Sequence, residues 1–347
     1  MNPLLASLGI QHPIVQAPMA GTATPALAAA VSEAGGLGSI SIAAAGVEAG
    51  RTMIRELHAL TAKPFNVNVF CNRPSVPAPQ VERAWLAHLA PFFAEFGAAP
   101  PSELHQIYTS FCDGEAQLQL LLEEKPAVVS FHLGLPPQGH IDALKAAGIV
   151  LLASATSVTE ALWVEAAGVD FVVAQGVEAG GHRGVFDPQA ADEHLPTLEL
   201  LRLILARLRI PVIAAGGLMD GGDIRTVLQM GAVAAQMGTA FVLCPESAAN
   251  PAYRHMLSSQ RAHTTALTSV ISGRPARGIV NRFMDEVGAE GHPPVPAFGI
   301  AYNAGKQLSE AASKAGNAEF SPFWAGQQAD RVRALPAATL MALLISE

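Results

Sequence analysis

The amino-acid sequence predicts a (β/α)8 barrel of the TIM type with a small, mostly helical domain inserted late in the chain. Three observations predict it. Short apolar runs recur eight times, and they are continuous rather than alternating, as expected of strands covered on both faces. The stretches between them carry helix punctuation, with capping residues ahead and glycine behind. A weak internal echo (LKAAGIVLLASAT, VEAAGVDFVVAQG, LQMGAVAAQMGT) repeats helix end, glycine and strand. Eight parallel strands are the number that closes this kind of barrel.

The predicted strands cover 14–19, 37–43, 65–70, 127–134, 149–155, 171–175, 211–215 and 232–238. After the first, Thr24 caps a helix with Pro25 at its first position, and Gly35-Gly36 ends it. The stretch 72–126 is too long for one βα connection and holds prolines, aromatics and Tyr108. Gly148 closes the next helix. Ser157 and Glu160 form a capping-box pattern, and Gly168 ends that helix. Asp220 and Asp223 start the helix after the seventh strand, and Gly231 ends it. Residues 245–309 read as the helical insertion, expected to cover the active site. A last helical stretch over about 320–346 is expected to return to the barrel wall. The predicted division is therefore 1–244 with 310–347 for the barrel and 245–309 for the insertion.

Composition narrows the function classes. Of the 347 residues, 50% are apolar and 14% charged, which excludes a disordered chain. The net charge of −8, from 21 basic and 29 acidic residues, argues against a binder of the nucleic-acid backbone. Cys71, Cys112 and Cys244 stand far apart without a CxxC pair, as expected in a reducing compartment. The uncharged stretch 226–245 is broken by Gln229, Gly231, Gln236 and Gly238, and reads as a helix end, a turn and a buried strand rather than a membrane span. The N-terminus lacks a basic region ahead of its apolar residues, so a cytoplasmic protein is expected. No HExxH and no cysteine cluster points to a metal, and no GxSxG elbow to a serine hydrolase.

Chemistry in such barrels sits at the C-terminal ends of the strands. Here those ends are rich in glycines and amides. Gly217, after the seventh strand, and Gly238 and Thr239, after the eighth, can offer backbone N–H groups to a phosphate. In EAGGHRG, Gly180 and Gly181 let backbone approach a planar group, and His182 stands beside it as an acid–base candidate. Arg183 reads as structural or as a rim cation rather than a catalyst. Asn68 and Gln175 are amides able to read the edge of a heterocycle, and Met19 can support a ring face. His132 ends the fourth strand, where substrate contact competes with a core histidine bonded to a carbonyl.

These residues carry a family resemblance. PIVQAPMAGTATPALAAAVSEAGGLGSI, FNVNVF, VVAQGVEAGGHRG and IPVIAAGGLMDGGDIRTVLQMGAVAAQMGTAFVLCPES resemble the signature blocks of nitronate monooxygenases, and SGRPARG and AYNAGK resemble their class I branch. The resemblance implies FMN as cofactor in a barrel with a small helical domain. It implies His182 as the catalytic histidine, and Asn68, Gln175, Gly180, Gly217, Gln236, Gly238 and Thr239 as flavin contacts. Tyr108, His132, Tyr302 and Lys306 match positions that line the substrate pocket. The implied reaction is oxidation of an alkyl nitronate, with propionate 3-nitronate the expected substrate, by dioxygen to an oxo acid or aldehyde and nitrite. A monomer or weak homodimer is expected. Two alternatives stay open at this point: a related FMN barrel using NAD(P)H, such as a quinone or enoyl-ACP reductase, and a flavin-binding protein without turnover.

Overall fold

The structure, a computed structural model, describes residues 2–347. Eight strands fall within the eight predicted runs: β1 (Ile14–Gln16), β2 (Gly38–Ser41), β3 (Phe65–Phe70), β4 (Val128–His132), β5 (Val150–Ala155), β6 (Phe171–Gln175), β8 (Val212–Ala215) and β9 (Ala234–Met237). They form one parallel sheet in the order β1-β9-β8-β6-β5-β4-β3-β2. A parallel bridge between Val15 and Leu37 joins its two edges into a barrel. The short β7 (Gly181–His182), with β10 (Thr265–Thr268) and β11 (Ala276–Ile279), makes a second, antiparallel sheet in the order β10-β11-β7.

The continuous apolar character of the strands has a two-sided cause. Val128, Leu152 and Val173 fill the barrel interior, while their neighbours Val129, Leu151 and Val172 pack against the outer helices. Those helices are α2 (Pro25–Glu33), α3 (Val47–Leu60), α5 (Ala116–Glu124), α6 (Gln138–Ala146), α7 (Val158–Ala166), α8 (Thr197–Leu205), α9 (Gly221–Gln229) and α12 (Ala337–Ser346). The Thr24 cap forms, its hydroxyl accepting from Leu27 N at 3.0 Å, and Asp220 with Asp223 makes a full capping box. Ser157 forms only half of one. Its hydroxyl accepts from Glu160 N, but the Glu160 carboxylate turns away to Thr156 and to Phe186 N. One element was not anticipated. The helix α1 (Pro3–Leu8) buries Leu4 and Leu8 in the barrel's interior cluster, and Asn2 both caps it and donates to Val233 O at 2.7 Å.

Both long excursions build one cap over the strand ends. From the first, α5 joins the barrel wall, while α4 (Pro79–Ala94) packs Trp85, Leu89 and Phe93 against Phe283, Leu308 and Phe320. The predicted helical insertion does carry α10 (Pro251–Leu257) and most of α11 (Ile300–Lys314). It also carries the β10–β11 hairpin, which its sequence did not suggest: TALT and ARGI are short, and their partner is the distant Gly181–His182. The helix expected over 320–346 exists only as α12. Pro322 and Pro336 interrupt a helical path, and residues before α12 run as an irregular strap with one 3-10 turn at Ala329–Arg331. Ile279 N donates to Phe323 O at 2.8 Å, which pins that strap to β11. Among the described residues no helix is long and apolar enough to cross a membrane.

Gly38 marks the tightest contact between wall and barrel. A Cβ there would lie 1.9 Å from Ala28 O of α2, a backbone atom that cannot step aside. Gly38→Ala should therefore destabilise the fold by about 1–3 kcal/mol or more, read from urea unfolding. Gly139→Ala, in α6 with open space around the new methyl, is the matched control. It should be neutral or stabilising, since alanine is the better helix former.

Candidate active site at the barrel rim

The C-terminal strand ends and the cap enclose a cavity of about 370 Å³. His182, the four substrate candidates and the eight cofactor candidates from the sequence all line it. They arrive from opposite sides. Asn68, His132, Gln175 and Gln236 stand at the ends of β3, β4, β6 and β9, whereas Tyr302 and Lys306 project from α11, and Tyr108 from the first excursion.

The amides are already engaged. Asn68 Oδ1 accepts from Ser41 Oγ at 3.0 Å, and its Nδ2 donates to Ser130 O at 3.1 Å. Gln175 Oε1 accepts from Gly184 N at 2.7 Å, and its Nε2 donates to the carbonyl of His182 at 3.1 Å. Asn68 Nδ2 also donates to Ser130 Oγ at 3.1 Å, whereas Gln175 Nε2 retains one further hydrogen, and both amide oxygens keep acceptor capacity. On the opposite wall the chain turns sharply at Gly216 (φ 123°) and Gly217 (φ 69°), in the left-handed region that favours glycine. The N–H groups of Gly217 and Gly238 donate to no backbone carbonyl among the described residues. Thr239 Oγ1 accepts from Gly326 N at 2.9 Å and keeps its own hydrogen to donate. Met19 and Gly180 complete that side of the cavity.

His182 lies on β7, paired through Ala276 of β11 to the cap sheet. Its ring sits in an aromatic surround, with Phe298 at 5.2 Å, Trp324 at 5.4 Å and Tyr302 at 6.1 Å between centroids. Its Nε2 is 2.9 Å from Ser272 Oγ, and that hydroxyl in turn donates to Arg274 O at 3.2 Å. With the hydroxyl hydrogen on Arg274 O, Nε2 carries the ring proton and Nδ1 keeps its lone pair; with it on Nε2, the two roles are reversed. Burial first, then the neighbouring His132 and Arg274, push the His182 pKa down to about 3, so the ring is neutral at ordinary pH. His132 is also lowered, to about 4, again chiefly by burial. Both of its nitrogens are occupied: Nδ1 lies 2.9 Å from Ser154 Oγ, and Nε2 lies 3.1 Å from the His182 carbonyl oxygen and donates to it.

Lys306 Nζ rests 5.0 Å from the Tyr108 ring and 5.2 Å from the Tyr302 ring. Partial burial lowers its pKa. Arg183, by contrast, is fully buried, and each guanidinium nitrogen is bonded, to Asp192 or to the carbonyls of Gln175 and Gly176, which makes it a structural clamp and not a rim cation. Several cavity residues were missed from the sequence. Trp324 Nε1 donates to Tyr302 Oη at 3.3 Å, and Tyr253 donates to Trp324 O. Tyr253, Trp324 and Gly326 all line the cavity. The strap that carries Trp324 was read as helix, which hid it. Ser272 sits inside SGRPARG, a block whose residues received no individual roles. Among the described residues no cluster of three or more His, Cys, Asp or Glu side chains is placed to hold a metal ion.

The nitronate monooxygenase family model matches residues 2–347. The chain belongs to the nitronate monooxygenase family. A nitronate monooxygenase of Pseudomonas aeruginosa is 57% identical over 340 residues, covering 98% of this chain and 97% of that protein. One from Paraburkholderia phytofirmans is 55% identical over 345 residues, covering 99% and 94%. Among solved structures, the nitroalkane oxidase of Streptomyces ansochromogenes superposes with a TM-score of 0.90 at 40% identity, covering 99% of this chain and 97% of the other. Family membership thus extends over barrel and cap together.

The two partly buried histidines make stability depend on pH. Their folded pKa values, about 4 and about 3, lie below the ordinary 6.5, so the unfolded chain binds more protons between those limits. Unfolding free energy should fall as pH drops from 6.5 towards 4, by up to about 3 kcal/mol for each histidine. In His132→Gln the slope over this window should be shallower than in wild type, measured by urea titrations at stepped pH. An unchanged slope would show that His132 is not the group held neutral.

Proposed function

We propose that this chain is an FMN-dependent oxidase of alkyl nitronates, with propionate 3-nitronate as substrate and dioxygen as co-substrate, yielding an oxo acid or aldehyde and nitrite. The observation that carries this reading is the pairing, across one cavity, of a neutral imidazole at His182 with an ammonium at Lys306 held between two tyrosine rings. That arrangement suits a small anion with a second, remote charge.

The residues present fit FMN. The unpaired N–H groups of Gly217 and Gly238, with the Thr239 hydroxyl, form a cup for a phosphate. Asn68, Gln175 and Gln236 offer amide edges, and Met19 and Gly180 an unobstructed face, for the ring system. When bound, FMN supplies the one-electron chemistry with dioxygen that no side chain offers. His182 Nδ1 would accept the α-proton of a neutral nitroalkane. A nitronate has already lost that proton, and would instead be oriented by the ring. Lys306, with the hydroxyls of Tyr108 and Tyr302, would hold a carboxylate through charge-assisted hydrogen bonds. We assign His132 a positioning role, because its nitrogens already serve Ser154 and the His182 carbonyl.

The purified protein should be yellow, release FMN on denaturation, and consume oxygen with propionate 3-nitronate at an oxygen electrode. Release of FAD, or no uptake of added FMN, would overturn the cofactor assignment. His182→Asn should retain FMN and lose about 10²–10⁴-fold in turnover, more with neutral nitroalkanes than with nitronates if the ring acts as base. A loss under about threefold removes His182 from the mechanism.

Lys306→Met should separate substrates. Losing a charge-assisted hydrogen bond costs about 1.5–3 kcal/mol, so KM for propionate 3-nitronate should rise roughly ten- to a hundredfold. An alkyl nitronate without a carboxylate should behave as in wild type. Equal impairment of both would place Lys306 elsewhere in the mechanism.

A further inference from the structure

Two buried arginines flank His182, and only one has its partners. Arg183 spends its guanidinium on Asp192 and two carbonyls. Arg274 is 2% exposed, yet it forms no salt bridge among the described residues. One Nη donates to Val185 O, while Nε has no acceptor. A buried guanidinium left this way costs stability, and no contacting carboxylate offsets that cost; Glu160 and Asp187 act on it only from a distance. The side chain starts one residue past the His182-facing turn. Arg274 O receives the Ser272 hydroxyl that contacts His182 Nε2, and the next strand, β11, pairs Ala276 with His182. The guanidinium carbon stands 6.0 Å from the Phe298 ring, the same ring that meets the His182 edge at 5.2 Å.

The geometry points to Arg274 as a specificity-determining residue: a fixed positive charge behind His182 that favours anionic ligands over neutral ones in this cavity. It deepens the nitronate reading and rests on it. Arg274 does not line the cavity, so it acts through space and through the neutrality of His182 rather than by contact. In a water-poor interior such a charge acts over several ångströms with little screening. The charged and titratable groups that interact with it are His132 on β4, His182 on β7, Glu160 on α7, and Asp187. The two carboxylates attract it only from a distance.

Arg274→Gln removes the charge and keeps a donor; Arg274→Lys keeps the charge. Nitrite and neutral nitroethane are titrated calorimetrically into each flavin-loaded protein at pH 6, and kcat/KM for nitronates is measured alongside. The Gln variant should bind nitrite about tenfold or more weakly and change under threefold for nitroethane, with the Lys variant close to wild type. Burial lowers a lysine pKa, so nitrite affinity of the Lys variant should also fall at alkaline pH beyond any change wild type shows through Lys306. Equal losses for both ligands, equal behaviour of Gln and Lys, or nitrite affinity within threefold in the Gln variant would overturn the proposal. If the Gln variant does not fold, absence of that alkaline loss in the Lys variant overturns it. Wild type that binds nitrite but oxidises no nitronate would sink the functional reading while leaving this binding test intact.

Discussion

The site depends on one carbonyl oxygen. His182 O accepts hydrogen bonds from both His132 Nε2 and Gln175 Nε2, two side chains at the ends of barrel strands. The same residue is paired to β11 in the cap sheet. Barrel and cap are therefore tied at the peptide that carries the imidazole. This explains why a two-residue strand suffices to hold it. The ring needs a fixed direction, and three separate elements, β4, β6 and β11, supply it.

That tie also sets the electrostatics. Because His132 donates to a carbonyl and takes its other bond from Ser154, it is held as a neutral tautomer. A neutral His132 beside His182 adds no charge, and desolvation keeps both rings unprotonated. The positive charges of the site then come from Lys306 on the cavity side and Arg274 behind the histidine, and burial makes each easier to deprotonate than it is in water. In the function proposed above, Lys306 and Arg274 would supply the charge and the neutral imidazole of His182 any proton transfer, a division that suits substrates arriving as anions.

The cap owes its form to both chain excursions. Trp85, Leu89 and Phe93 from α4 share a core with Phe283, Leu308 and Phe320, so neither excursion buries its aromatics alone. Tyr108 reaches the cavity because α4 and α11 pack together, which brings it 5.9 Å from the Tyr302 ring. The long connection after β3 is in this way half barrel, through α5, and half cap.

What the sequence determined by itself was the local pattern: eight continuous apolar runs, the caps at Thr24 and Asp220, and the glycines at the ends of β8 and β9. These are short-range choices of burial period, hydrogen bonding and backbone angle, and they can be read without partners. Together with strand-end position they placed His182, Asn68, Gln175, Gly217 and Gly238 at one rim. Tertiary structure alone decided the rest. The hairpin β10–β11 exists because it meets Gly181–His182 from almost a hundred residues away. Trp324 enters the cavity because prolines keep its strap from becoming helix and Phe323 O pairs with Ile279 N. His132 became a strut, and Arg274 an unpaired charge, only once their neighbours were in place. Partners distant along the chain settle such roles, because a side chain's hydrogen bonds and the charge around it belong to its surroundings rather than to its sequence position.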